Sequence, residues 1–230
     1  MAPEQRRFHG RRLARPLTQR RKELLAQLLP RLGIPIPETG EIDPRTLFAP
    51  PPAGVWLEIG FGGGEHLAWQ AERHPEIGFV GCEPFLNGLA TLLTAIDEKP
   101  LANVRLHPDD ARLLLTRLAP ESISRCFILF PDPWPKSRHK KRRIVSTETL
   151  DRLAHALVDG AELRLGSDDP DYVQHMLATA GVHPAFAPVR IAEGETSMRP
   201  ADWPPTRYEE KALAKGASCR FLIFRRRPRG

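Results

Sequence analysis

The chain is poor in cysteine, and the few it has are not set up for chemistry. Cys82, Cys126 and Cys219 are isolated, odd in number, and each lies in a strand-like apolar run. They read as small buried hydrophobes in a reducing compartment, so a cytoplasmic location is expected and disulfides are not. The eight histidines form no HxxxH pattern and pair with no cysteine, so no metal site is expected. No apolar run approaches the roughly 18–20 residues needed to span a bilayer. The N-terminus is too rich in arginine for a secretory signal and lacks its apolar segment. No internal repeat is found.

What the chain has in quantity is positive charge, unevenly placed. Of the formal +6, residues 1–31 carry +7, residues 136–143 carry +6 and residues 225–229 carry +4. The clusters thus hold +17 and the remainder of the chain −11, an acidic body with three basic patches. If those patches converge they form a footprint for a polyanion. No long amphipathic or lipidated segment favours a membrane as that polyanion.

The hydrophobic pattern divides the chain at about residue 54. Before it, residues 1–16 are basic and irregular, Leu17 to Leu32 have the spacing of an amphipathic helix ended by Gly33, and prolines make 33–54 an extended connector. From 55 to 230, strand-like runs at 55–60, 77–82, 103–107, 123–130, 161–166 and 219–225 alternate with helical stretches at about 64–74, 85–97, 110–118, 147–158 and 170–180. This is the pattern of an α/β domain with a doubly wound, mainly parallel sheet. Ligands of such sheets bind beyond the strands' carboxyl ends, so the residues just after each strand carry the functional information.

After the first strand stands Leu57-Glu58-Ile59-Gly60-Phe61-Gly62-Gly63-Gly64-Glu65. The glycines, Gly60 and Gly62 first, let a ligand approach the backbone closely. The dinucleotide fingerprint needs a third glycine where Glu65 stands, and Glu58 would repel a pyrophosphate, so a nicotinamide cofactor is disfavoured. Glu83 follows the second strand, where a carboxylate commonly takes two ribose hydroxyls. Asp109 and Asp110 follow the third; either could accept from an adenine amino group or merely cap the next helix. Three acids around a glycine loop suit S-adenosylmethionine, which carries a ribose, an adenine, an ammonium and a sulfonium but no phosphate.

The fourth strand ends in Leu129-Phe130-Pro131-Asp132-Pro133-Trp134-Pro135-Lys136, a rigid acidic corner followed by cations from Arg138 to Arg143. The fifth leads to Asp168-Asp169-Pro170. Asp169 has the look of a helix N-cap before proline at the first helical position, which leaves Asp168 free for function. Residues 205–211 taken alone read as a polar loop.

With these residues assembled, the chain closely resembles the bacterial tRNA (guanine-N7-)-methyltransferases of the TrmB family over about residues 55–225. The most specific matches are the Pro131-to-Lys136 corner with its basic arm, and Thr206-Arg207-Tyr208-Glu209 with Lys211 and Gly216. The resemblance implies a Rossmann-like class I methyltransferase fold and transfer of a methyl group to N7 of a guanosine at position 46 of tRNA. It also implies that Glu58, Glu83, Asp110 and Asp132 contact the cofactor region. Lys136, Asp168, Thr206, Arg207, Tyr208 and Glu209 would contact substrate, and Arg138, His139, Lys140, Lys141, Arg142 and Arg143 would touch RNA. Asp132 is the catalytic candidate, because a fixed carboxylate can orient the base and stabilise its growing positive charge. Trp134 either stacks on an extruded base or packs against the arm. The alternatives are a class I methyltransferase acting on another RNA or a protein, and a non-catalytic RNA-binding module. A monomer or a weak homodimer is expected, with tRNA as the partner.

Overall fold

Each apolar run of five to eight residues forms a strand because both faces of a largely parallel sheet are covered by helices. The structure, a computed structural model, describes residue 10 and residues 12–230. The basic stretch at 1–9 and Arg11 lies outside the described residues. In chain order the elements are α1 (Gln19–Gln27), α2 (Leu29–Leu32), β1 (Gly54–Ile59), α3 (Glu65–Arg73), β2 (Ile77–Cys82), α4 (Leu86–Glu98), β3 (Val104–His107) and α5 (Ala111–Leu115). They continue as β4 (Ile123–Leu129), α6 (Thr147–Ala156), β5 (Leu157–Ser167), α7 (Pro170–Ala180), β6 (Phe186–Arg190), α8 (Glu193–Thr196), α9 (Arg207–Ala214) and β7 (Arg220–Arg226).

One seven-stranded sheet runs in the order β3-β2-β1-β4-β5-β7-β6. Strands β1 to β5 are parallel, and β7 is antiparallel to both β5 and β6. The expected doubly wound sheet is therefore present, with a reversed strand near one edge. Alternation along each strand sorts side chains into two cores. Leu57, Val80, Leu163 and Leu222 pack with α5, α6 and α7. Trp56, Phe79, Phe127 and Phe221 pack with α3, α4 and Ala212 of α9. A fully buried leucine or valine of this kind contributes about 1.5–3 kcal/mol. All three cysteines are buried and free, as expected of small hydrophobes.

The structure corrects three expectations. The helix expected across Leu17–Leu32 is divided, α2 beginning at Leu29 with Pro30 in its first turn, where proline is tolerated. Residues 186–190 form a strand the pattern hid, because Pro188 interrupts it; the strand lies at the sheet edge, the one place where a missing donor is harmless. The segment at 207–214 is helix and not loop. Thr206 caps it, its hydroxyl accepting from the Glu209 amide at 3.2 Å.

Candidate active site

The parallel register sets the functional residues side by side. Ile59 pairs with Cys82 and with Ile128, so the residues that follow these three strands emerge on one line at the sheet's carboxyl edge. The Gly60 amide donates to the Cys82 carbonyl at 2.8 Å and the Glu83 amide to the His107 carbonyl at 3.1 Å, extending the ladder one residue into the loops.

Glu83 is 7% exposed, and both its oxygens are occupied. One accepts from the Gly62 amide at 2.7 Å and the other from the Phe85 amide at 2.9 Å, so the carboxylate clamps the glycine loop to the start of α4. Burial pushes its pKa up to about 7, the two amides oppose the rise, and the charges of Asp132 and Glu58 add to it. The strand register brings the three carboxylates to one edge of the sheet, and their mutual repulsion is the electrostatic sign of it. Glu58 is 5% exposed. One of its oxygens is 2.7 Å from Nδ1 of His66, and the other accepts no hydrogen bond from the described residues.

Asp132 stands in a distorted corner. Phe130 and Trp134 both take left-handed backbone angles, φ 50° and 46°, at a cost of about 1–3 kcal/mol each for residues that carry a Cβ. With Pro131 and Pro133 fixing the intervening φ, the corner has little freedom left. The Asp132 carboxylate accepts no hydrogen bond among the described residues. It touches solvent, yet the surrounding protein desolvates it enough to raise its pKa.

Tyr208 covers this cluster from α9. Gly62 has φ 57°, and a Cβ built there would lie 2.7 Å from Cε2 of Tyr208, so the ring rests directly on the glycine loop. Burial raises the Tyr208 pKa, with further contributions from Glu83 and Asp132. Beside it, Arg207 pairs with Glu65 at 3.3 Å. Thr206 and Glu209 face inward instead: Thr206 caps the helix, and Glu209 is buried against Arg199 at 2.8 Å with one oxygen lacking a partner among the described residues.

The remaining expected residues divide. Lys136 and Asp168 are exposed near their strand ends, and Asp169 caps α7 as read, accepting from the Tyr172 amide at 2.8 Å. Asp110 caps α5, accepting from the Arg112 amide at 2.9 Å, and both its oxygens receive Nη1 of Arg112. Its carboxylate is therefore engaged by its own helix. Arg112 also donates to the carbonyls of Arg142 and Arg143, at 3.1 and 3.3 Å, and ties this strand end to the basic arm.

The arm, Ser137–Arg142, is a 3-10 helix, and its cations are not equivalent. Arg143 was expected to touch RNA, but it is 2% exposed. Its Nε donates to the Pro133 carbonyl at 2.8 Å, Nη2 bonds Asp171, and the guanidinium lies over the Tyr172 ring. It is a brace for the acidic corner and cannot reach a phosphate. Lys140 is shared with Asp171 at 2.8 Å. Arg142 lies over the Trp134 ring at 5.0 Å and His139 meets the same ring edge-on at 5.9 Å, so Trp134 packs against the arm. Arg138 and Lys141 are exposed and make no ion pair among the described residues.

Among the described residues, the C-terminal basic cluster does not join the other two. Arg12 pairs with Asp109 at 2.7 Å and its carbonyl accepts from Leu86, which puts the N-terminal segment beside the site. Because β7 is antiparallel, the C-terminal arginines leave at the opposite edge. Arg229 there donates to the carbonyls of Ala154, His155 and Leu157 and pairs with Asp159 and Glu121.

Two buried residues of the site escaped the sequence reading, His66 and Gln70. The available signal was their four-residue spacing on a helix face otherwise built from Leu67 and Ala71.

Comparison with known proteins gives a consistent result. A family model described as a putative methyltransferase matches residues 52–222. A tRNA (guanine-N7-)-methyltransferase of Rhodospirillum rubrum is 49% identical over 231 residues, covering 98% of this chain and 90% of its own. The enzyme of that name from Paramagnetospirillum magneticum is 49% identical over 230 residues, covering 99% and 96%. Among solved structures, the 16S rRNA methyltransferase KamB aligns with a TM-score of 0.52 at 17% identity, over 77% of this chain and 89% of that one. TrmN from Thermus thermophilus aligns at 0.53 and 16% identity, over 90% of this chain and 48% of that one. The structural likenesses establish a Rossmann-like class I methyltransferase fold.

Proposed function

The chain belongs to the tRNA (guanine-N7-)-methyltransferase family, and from that premise we propose that its carboxylate cluster binds S-adenosylmethionine and presents its methyl group to N7 of a tRNA guanosine, position 46 by resemblance. The observation that carries the cofactor reading is the emergence of Glu58, Glu83 and Asp132 around one glycine loop at the carboxyl ends of adjacent parallel strands. Burial raises the Glu83 pKa to about 7, and the charges of Asp132 and Glu58 add to that rise. Such a set disfavours a phosphate-bearing ligand and fits a cationic one. When bound, S-adenosylmethionine supplies a methyl group on a sulfonium, which the guanine N7 lone pair can take without losing a proton.

The residues then divide the work. Glu83 holds the glycine loop through the Gly62 amide and receives ribose hydroxyls. The unpaired oxygen of Glu58 faces the ligand's cationic end. Asp110 lies at the adenine side, fixed by its own helix cap. Asp132 has no competing partner among the described residues, and its braced corner supplies a preorganised negative charge where the methylated base becomes positive. Tyr208 and Arg207 close the glycine loop on the substrate side, with Lys136 and Asp168 at the rim. Of the arm, Arg138 and Lys141 are the cations available to tRNA phosphates. Residues 55–230 form the catalytic unit, and a cytoplasmic location is part of the same reading.

The test is incubation with labelled S-adenosylmethionine and unmodified bulk tRNA, followed by borohydride and aniline. Scission of the RNA at a labelled 7-methylguanosine supports the reading. Label that enters protein, or RNA that resists scission, overturns it.

A further inference from the structure

A buried polar chain runs beneath the glycine loop. His66, in the first turn of α3, is 2% exposed, and Gln70, one turn on, is 1% exposed. Polar groups so placed are unfavourable unless their hydrogen bonds are remade inside the protein. Here they are remade with one polarity. The Gln70 side-chain nitrogen lies 2.8 Å from the Asp202 carbonyl oxygen, which can only accept, so this atom is the amide NH2. The same nitrogen lies 3.2 Å from Nε2 of His66, and that ring nitrogen must therefore be the acceptor. The imidazole proton then resides on Nδ1 and is donated to Glu58 across 2.7 Å. The ring is held between Phe127 and Trp203, at 4.6 and 6.3 Å between centroids.

We propose that His66 is the positioning residue of the cofactor pocket. It fixes one oxygen of Glu58 so that the other is directed at the ligand's cationic end. Gln70 extends that alignment to the Asp202–Trp203 segment, which leads within three residues into the substrate-side sequence Thr206–Glu209. The proposal rests on Glu58 belonging to the cofactor pocket. A neutral imidazole is suited to this task. It supplies a directed donor without neutralising the carboxylate, so Glu58 keeps its charge for the ligand.

Two measurements test it on the full-length protein. In the wild type, 15N NMR of the labelled imidazoles should find His66 protonated on Nδ1 and bare on Nε2; the other tautomer, or a doubly protonated ring, overturns the proposal. By calorimetry, His66→Leu should weaken S-adenosylmethionine binding about tenfold or more, from the loss of a buried donor. His66→Asn, which keeps an N–H near the Nδ1 position, should restore Kd to within about threefold of wild type. Gln70→Leu should leave the cofactor Kd within about twofold and raise KM for tRNA about fivefold. Unchanged cofactor affinity in His66→Leu, failure of His66→Asn to restore it, or an unchanged KM for tRNA in Gln70→Leu sinks the corresponding link. Glu58→Gln separates the two levels. If it loses cofactor affinity while His66→Leu does not, only the positioning role fails; if it too binds normally, the pocket assignment fails.

Discussion

Glu83→Gln provides a quantitative probe of the carboxylate cluster. Glu83 has a pKa of about 7 in the folded protein against an ordinary 4.5, with burial the largest cause. Between those values the folded state holds a proton that the unfolded chain has released. The folded state thus binds more protons, and stability falls as pH rises through the window. The difference between 4.5 and about 7 corresponds to about 3 kcal/mol, of which about 2–3 kcal/mol develops between pH 5 and pH 8. Glutamine cannot titrate, so this part of the pH dependence disappears from the variant. One of the two amides, Gly62 or Phe85, will face the new NH2 group and lose its acceptor, but that penalty is the same at every pH. Urea melts of both proteins at pH 5 and pH 8 isolate the effect. Relative to wild type, the variant should gain about 2–3 kcal/mol on going from the lower to the higher pH. A difference that changes by less than about 0.5 kcal/mol would mean that burial does not hold Glu83 protonated. The same cluster links binding to protons: near pH 6, a cationic ligand should expel the Glu83 proton. Calorimetry in buffers of different ionisation enthalpy reads that release, and Glu83→Gln should abolish it.

Asp132→Asn should lower kcat by about 10²–10³, the usual loss for one preorganised electrostatic group, with a much smaller effect on cofactor Kd; wild-type turnover would remove Asp132 from the catalytic role. Replacing Arg138 and Lys141 together with alanine should raise the Kd for tRNA and flatten its log–log salt slope by about 1.4, at about 0.7 per phosphate; an unchanged slope would place RNA binding elsewhere. Arg143→Ala should instead appear in a thermal melt, costing about 2–3 kcal/mol as the Pro133 carbonyl and Tyr172 lose their buried partner; a loss of tRNA affinity with unchanged stability would refute the bracing role. Gly62→Ala should lower cofactor affinity and turnover together, because φ 57° is strained by about 1–2 kcal/mol for alanine and the new methyl occupies the place of the Tyr208 ring; normal kinetics would show that ring to be dispensable.

Periodicity and punctuation made the fold legible. Six of the seven strands follow from apolar runs, and the glycine loop marks where the first ends. What stayed hidden had physical reasons. Pro188 masks β6 because proline is usually excluded from strands, and only its edge position makes it acceptable. The helix at 207–214 buries few residues, Glu209 and Ala212, too weak a stripe to read as periodicity. Within the site, the acids at the strand ends were legible because topology alone places them there. Arg143 was not, since a run of cations has the same composition whichever member turns inward, and only Tyr172 and Asp171, about thirty residues later, select it. The direction of β7 was equally hidden: an apolar run reports a strand and not its polarity, so the C-terminal arginines could not be assigned to the far edge. His66 carried a signal in its spacing to Gln70, but the partner that gives it meaning is the carbonyl of Asp202.

That dependence on late residues bears on how the enzyme is made. Strand β7 enters the sheet between β5 and β6, and the Asp202–Trp203 segment that seals His66 and Gln70 directly precedes α9. During vectorial synthesis the five parallel strands can pair as they emerge, whereas the floor of the pocket stays open until the last thirty or so residues leave the ribosome. Nascent chains arrested before Asp202 should therefore hold a formed glycine loop and the His66–Glu58 pair but an unanchored Gln70, and a protease added to such complexes should cut near α3 until β7 has docked.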